Sequence, residues 1–285
     1  MLEVRRSSTQ RAVRRLDSVP LEQSLQTLGD RLDDPHAPVR GLTKFARSSL
    51  GLEGSKAGEW SRRASWSWAA GHLVQRSLAA GRVDEVLALV DPFDLDEALG
   101  AGHGGTLLAG AHIGAPKVAR LALAAHSTSM LALIGAERGV LGEGDMVLDS
   151  EDKQRKQTIV ATLHLRRGGE LYGAPDGRRG AAEQVVQLLG HDVQLKRGLP
   201  ALARGAHART VFVAALWTGG NRLRIGFGGQ LEPPAKDAPP SAQATWAEQW
   251  FKAWATWFST IIEEQPENAR LFGGLWRSSP GGLLR

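Results

Sequence analysis

The sequence predicts an α/β fold in which a central sheet, mostly parallel or mixed, is flanked by helices on both faces and preceded by a helical region. Two observations predict it. Residues 1–99 read as helices separated by breakers with no strand signal, and from Gly100 onward short apolar runs alternate with helical stretches. The 285 residues, 42% hydrophobic and 23% charged, are enough to bury a real core and exclude disordered, collagen-like and coiled-coil classes. The expected division is a helical N-terminal region over 1–99 and an α/β domain over 100–285.

In order along the chain, helices are expected at 24–32, ending before the breaker DDPHAP, at 64–80, and at 83–90 before DPFDLDEAL. Beyond Gly100, the runs TLLAGA (106–111), MLALI (130–134), 171–174, TVFVAALW (210–217) and 223–227 read as strands. Helices are expected between them at 115–125, 152–167, 181–189 and 200–205. The segment EPPAKDAPPSAQ is a proline-rich connector, after which one long helix should run to about Glu264. In that helix Trp246, Trp250, Trp254 and Trp257 fall within about 80° of one another at 100° per residue, while Glu248, Lys252, Ser259 and Glu263 lie opposite. Such a stripe is expected to pack on the protein's own sheet; an oligomer contact or a membrane-interface face is the alternative. No internal repeat is present.

Charge is distributed unevenly. Residues 1–80 hold 13 Lys/Arg against 8 Asp/Glu, and the segment from Lys153 to Arg224 holds 13 against 4. The second cluster suggests an anionic partner such as a phosphate-bearing ligand, an acidic carrier protein, lipid headgroups or RNA, the plain alternative being a solvated face. Zero cysteines exclude disulfides, thiolate catalysis and thiolate metal sites. No apolar run approaches the roughly 18 residues of a spanning helix, and the arginines of MLEVRRSSTQRAVRRLD have no apolar stretch behind them. Neither a signal peptide nor a membrane helix is therefore expected, and the expected location is cytoplasmic, with peripheral attachment to the inner membrane as a variant.

Several chemistries lack their motifs. GAGHGG at 100–105 has the G-x-G-x-x-G spacing but precedes a strand, whereas a dinucleotide fingerprint follows one and opens a helix. There is no G-x-x-x-x-G-K-[ST] loop and no H-E-x-x-H, and the eight histidines form no pair with metal spacing, so no metal and no cofactor is expected.

Four blocks stand out in order. GTLLAGAHIGAP (105–116) puts His112 just past the carboxyl end of a buried strand, where functional side chains of open α/β sheets gather. GELYGAPDGRRG (169–180) places Asp176, Arg178 and Arg179 on a glycine-flanked turn after another strand. LKRGLPALARGAHARTVFVAAL follows, and QPENARLFGGLWR lies near the C-terminus. Without further context His112 reads as a strand-end residue and Asp176 as ordinary Pro-Asp-Gly turn chemistry. Together, AHIG, GAPDG, GLPALA and PENARLFGGLWR resemble the motifs of the lysophospholipid acyltransferase superfamily, closest to its bacterial lipid A biosynthesis branch, over roughly residues 85–278.

What the resemblance implies is transfer of an acyl group from a thioester, on acyl carrier protein or acyl-CoA, to a hydroxyl or amine acceptor in a specialised lipid or natural-product pathway. His112 would be the general base, a role suited to an imidazole near its ordinary pKa. Asp176 would match an acidic turn residue of the family, and Arg179 an arginine that holds phosphate or polarises the acceptor. Lys117, Arg138, Arg178, Arg179, Lys196 and Arg197 are the candidate substrate-binding cations. The sequence departs from the family pattern five residues after His112, where the orienting carboxylate is replaced by Lys117. Either Asp176 or a nearby carboxylate supplies the orienting bond, or the chemistry is altered and the fold serves as a binding or scaffold protein. A third reading uses aminoacyl-tRNA as the donor; base-stacking aromatics are sparse near the basic clusters, with Tyr172 and Trp217 the nearest.

Overall fold

The structure, a computed structural model, describes residues 19–32, 40–100, 104–135, 144–148, 150–177, 183–219 and 221–270. The N-terminal region forms α1 (Leu21–Leu32), α2 (Arg40–Leu50), the long α3 (Gly54–Ala79) and the short α4 (Val83–Leu87) and α5 (Leu95–Leu99). The chain then runs β1 (Thr106–Ala109), α6 (Pro116–His126), β2 (Leu131–Gly135), β3 (Asp145–Leu148), α7 (Glu151–Arg166) and β4 (Glu170–Gly173). It continues through β5 (Glu183–Leu188), β6 (His191–Lys196), α8 (Gly198–Ala206), β7 (Arg209–Trp217), β8 (Leu223–Leu231) and α9 (Pro240–Glu264), and a 3-10 turn at Pro266–Asn268 follows.

Six strands form one mixed sheet in the order β3-β2-β4-β1-β7-β8, parallel throughout except for the antiparallel pair β7–β8. The burial of β1 and β7 explains why they read as continuous apolar runs: all four residues of β1 and every residue of β7 after Arg209 are buried, as in strands covered on both faces. Alternate residues of β7 serve different layers. Phe212, Ala214 and Leu216 join a core built with α2, α7, α8 and α9, while Val211, Val213, Ala215 and Trp217 join a second core built with α1, α4 and α6. α3 contributes to both, with Ala57, Trp60 and Ala64 in the first and Ala69, Leu73, Val74 and Leu78 in the second. The helical N-terminal region is therefore packed into the same two cores as the sheet.

The tryptophan stripe of α9 faces this sheet. Trp246, Trp250 and Trp254 are buried, and the first donates its indole N–H to the Glu232 carbonyl at 2.6 Å, the second to Thr210 Oγ1 at 3.0 Å and the third to the Gly110 carbonyl at 3.1 Å. A buried tryptophan needs such an acceptor for its one polar atom. Trp257 is half-buried and stacks on Phe212 with ring centroids 5.6 Å apart. Gly228 makes room for it, since a Cβ there would lie 2.8 Å from Trp257 Cδ1.

One expected element is wrong. The segment 181–189, expected as a helix, forms strand β5, which pairs antiparallel with β6 in a separate two-stranded sheet. Its burial alternates with period two, Glu183, Val185 and Gln187 facing out, and Leu189 and Gly190 take φ of 52° and 76°. Positive φ at both central residues is the two-residue turn whose twist suits a hairpin. Strands β3 and β6 and helices α2 and α5 are likewise absent from the sequence expectation.

Candidate functional site

β1 and β4 are parallel neighbours with Ala109 opposite Gly173. The next rung is kept, as the Gly110 N–H donates to the Gly173 carbonyl at 2.7 Å. His112 and Asp176 each lie three residues beyond this matched pair, so the register delivers both to the same height at the carboxyl edge of the sheet. They meet there. Asp176 Oδ2 accepts the backbone N–H of His112 at 2.7 Å, and Asp176 Oδ1 lies 2.8 Å from His112 Nδ1. The Asp176 side chain is 1% exposed and that of His112 50%.

The two oxygens therefore hold both the backbone and the ring of one residue. A carboxylate accepts only, so Nδ1 carries the ring proton and Nε2 its lone pair. An imidazole held in this way has a fixed orientation and tautomer, and its imidazolium form is stabilised by the adjacent negative charge. The half-exposed ring and the buried carboxylate together present a base to solvent while keeping its orienting group dry.

The loop around His112 is built by close approach. Gly110 cannot bear a side chain, because a Cβ would come within 2.5 Å of the Tyr172 hydroxyl. Gly114 has φ of +53°, and a Cβ there would lie 2.1 Å from the Ala215 carbonyl. Both glycines of GAHIG are thus demanded by geometry. The Gly114 N–H donates to the Asn268 carbonyl and the Ala115 N–H to the Ala215 carbonyl, each at 2.9 Å. The Asn268 side chain, fully buried, accepts from the Trp217 N–H at 2.7 Å and donates to the Trp217 carbonyl at 3.3 Å. The PEN segment near the C-terminus therefore clamps the histidine loop to the end of β7.

Beneath the loop lies a buried polar group. Arg120 on α6 donates to the Asp145 carboxylate at the start of β3, and both side chains are almost fully buried. Tyr172 donates to the Pro116 carbonyl at 3.4 Å. Burial pushes its phenol well above the ordinary 10.0, the Asp176 charge adds to the rise, and Arg120 opposes it.

The expected binding cations are placed as follows. Lys117 is half-buried in the first turn of α6, behind Pro116 and the N-cap Ala115, where a positive charge opposes the helix dipole. Lys196 pairs with Glu183 across the β5–β6 hairpin, and its N–H donates to the Pro175 carbonyl at 2.8 Å, which seats the hairpin against the Asp176 turn. Arg197 is exposed and donates to Gln184 Oε1 at 2.8 Å. These two side chains brace the hairpin. Arg138, Arg178 and Arg179 lie outside the described residues.

Sequence reasoning gave no site role to Tyr172, Arg120, Asp145 or Asn268. Of these Tyr172 and Asn268 lie within quoted blocks, and the placement of Asn268 depends on a contact with a strand end that no local pattern encodes.

No family model matches the chain. The chain is 27% identical over 268 residues, 90% of its length, to the Vi polysaccharide export protein VexE of Salmonella typhi, and it spans 40% of that protein's length. Among the described residues no helix is long and apolar enough to cross a membrane.

Proposed function

We propose that the protein is an acyltransferase that uses His112 as general base and Asp176 as its orienting carboxylate. The observation that carries this reading is the pair itself: a buried carboxylate bonded at 2.8 Å to Nδ1 of a half-exposed imidazole at the carboxyl edge of the sheet. Together with the four blocks that resemble the lysophospholipid acyltransferase superfamily, it supports a thioester donor on acyl carrier protein or coenzyme A. Nε2 takes the proton from a hydroxyl or amine as that group attacks the thioester carbonyl. The tetrahedral intermediate collapses with cleavage of the carbon–sulfur bond, and the leaving thiolate receives the proton from the imidazolium. The products are an ester or amide and a free thiol. The likeness to a protein named for polysaccharide export favours a saccharide hydroxyl as acceptor.

Lys117 stands where the family keeps its carboxylate, but Asp176, arriving from β4, occupies the orienting role through space. This contact supports the catalytic reading over a scaffold role. Thiol release from acyl carrier protein or acyl-CoA thioesters, followed with a thiol-reactive dye across saccharide, lipid and amine acceptors, tests the proposal. Acceptor-dependent release that disappears in His112→Ala is the expected result; full release by that variant would end the assignment.

A further inference from the structure

We propose that the outer face of α7 docks on an anionic lipid surface. α7 carries three of the four large hydrophobic side chains that stand exposed among the described residues: Ile159 at 61%, Val160 at 49% and Leu163 at 45%. Its inward contact with the sheet is narrow, made by Ala161 and Leu165. At 100° per residue, Ile159, Leu163 and Val160 lie within about 100° of one another, well away from that buried edge. The helix therefore has two apolar sides. β-Branched residues weaken a helix and gain nothing in water, so an outward Ile and Val are explained by a surface that covers them.

The charge around this second side identifies the cover. Lys153, Arg155 and Lys156, all exposed, share the same arc of about 160°, in which Asp152 is the single acid. Short aliphatics interleaved with long cationic side chains match the boundary of a bilayer, where the aliphatics enter the acyl edge and the cations reach back to headgroup phosphates. α7 packs beside α8, where Arg166 donates to the Gly205 carbonyl at 2.8 Å, and its exposed aliphatics stand on the outer side of that helical layer, where short apolar side chains among cations suit a planar headgroup layer. The tryptophan face of α9 is turned inward and offers no such surface.

The placement has a geometric consequence. α7 follows the parallel strand β3, so its cationic first turns start from the same carboxyl edge of the sheet that carries His112. A membrane bound along α7 therefore meets the helix whose first turns start at that edge. Lipid docking stands independently of the acyl-transfer reading.

Co-sedimentation of the full chain with vesicles tests it. The protein should bind vesicles containing a quarter phosphatidylglycerol and leave pure phosphatidylcholine vesicles in the supernatant. Lys153→Gln/Arg155→Gln/Lys156→Gln should lose affinity by on the order of a hundredfold, from the attraction of each cation to an anionic surface. Ile159→Ser/Leu163→Ser should lose roughly tenfold, and because both positions are exposed the variant keeps its fold, checked by circular dichroism. His112→Ala should bind like the wild type, so a failure of the catalytic assignment is read separately. Equal binding to both vesicle types, no binding to either, or unchanged affinity in the two α7 variants would overturn the proposal. So would α7-dependent binding to acyl carrier protein in the absence of any vesicle binding.

Discussion

Two buried carboxylates, Asp176 and Asp145, each meet a basic partner, and the pairs are put to opposite uses. Asp145 meets Arg120 with both side chains nearly fully buried, whereas Asp176 meets a histidine whose ring is half in solvent. Sealing both charges fixes α6 against β3 and leaves nothing for a substrate to touch. Sealing only the acceptor leaves a titratable base facing outward with its orientation already set. The difference teaches that a short carboxylate–cation distance says little about role, and that the exposure of the partner decides it.

The largest effect should fall on chemistry at the open pair. On the proposed acyl-transfer reading, His112→Ala and Asp176→Asn should each lower turnover by roughly 10³- to 10⁴-fold, by analogy with the loss of a base or of its orienting carboxylate in catalytic triads. His112→Ala should lower the melting temperature less than a change at the sealed pair, because Asp176 keeps the His112 backbone N–H and the half-exposed ring leaves space that water can enter. Steady-state kinetics paired with thermal melting measures both, and a large stability loss with little loss of turnover would invert the comparison.

At the sealed pair the cost should be structural. Arg120→Met removes the guanidinium that donates to the buried Asp145 carboxylate and should destabilise the fold by about 3–5 kcal/mol, while Arg120→Met/Asp145→Leu should recover most of that. Urea denaturation of the single and double variants reads it, and a single-variant cost under about 1 kcal/mol would show the pair behaving as a surface contact. A smaller effect is expected at Asn268, which joins the open pair's loop to the core. Asn268→Ala leaves a buried Trp217 N–H and carbonyl without their side-chain partner and should cost about 1–3 kcal/mol together with some turnover.

The finest test uses Tyr172, packed between the two pairs and the chain's only tyrosine. Its phenol titrates near 10.0 when unfolded and higher when folded. Below pH 10 both states keep the proton and its contribution is fully present; as pH rises further the unfolded chain releases the proton first, so stability falls toward the folded pKa. The tyrosinate absorption band should therefore appear only as the protein unfolds in alkali, and Tyr172→Phe should lessen the alkaline loss. A tyrosinate signal from the folded protein near pH 10 would show that Tyr172 is solvated.

The central strands were legible because burial on both faces writes continuous apolar runs, as in TLLA and TVFVAALW. The tryptophan face of α9 was legible from its spacing. β3 escaped notice because DMVL is a short edge strand, half-buried throughout, and EQVVQL misled because its alternation is carried by Glu and Gln around a single Val–Val step. His112 and Asp176 can be singled out by their places after strands, and Asp176 is a sequence candidate for the carboxylate missing at position 117. Their bond depends on the neighbouring of β1 and β4, strands separated by two helices and two other strands, which no local window contains.

The clamp made by Asn268 also imposes an order of events during synthesis. The histidine loop leaves the ribosome early, yet two of its ties, to Asn268 and to the end of β7, join segments made much later. A nascent chain stopped before Asn268 carries His112 and Asp176 without the clamp that holds their loop, so the base should reach its working posture only after almost all of the described chain has been translated.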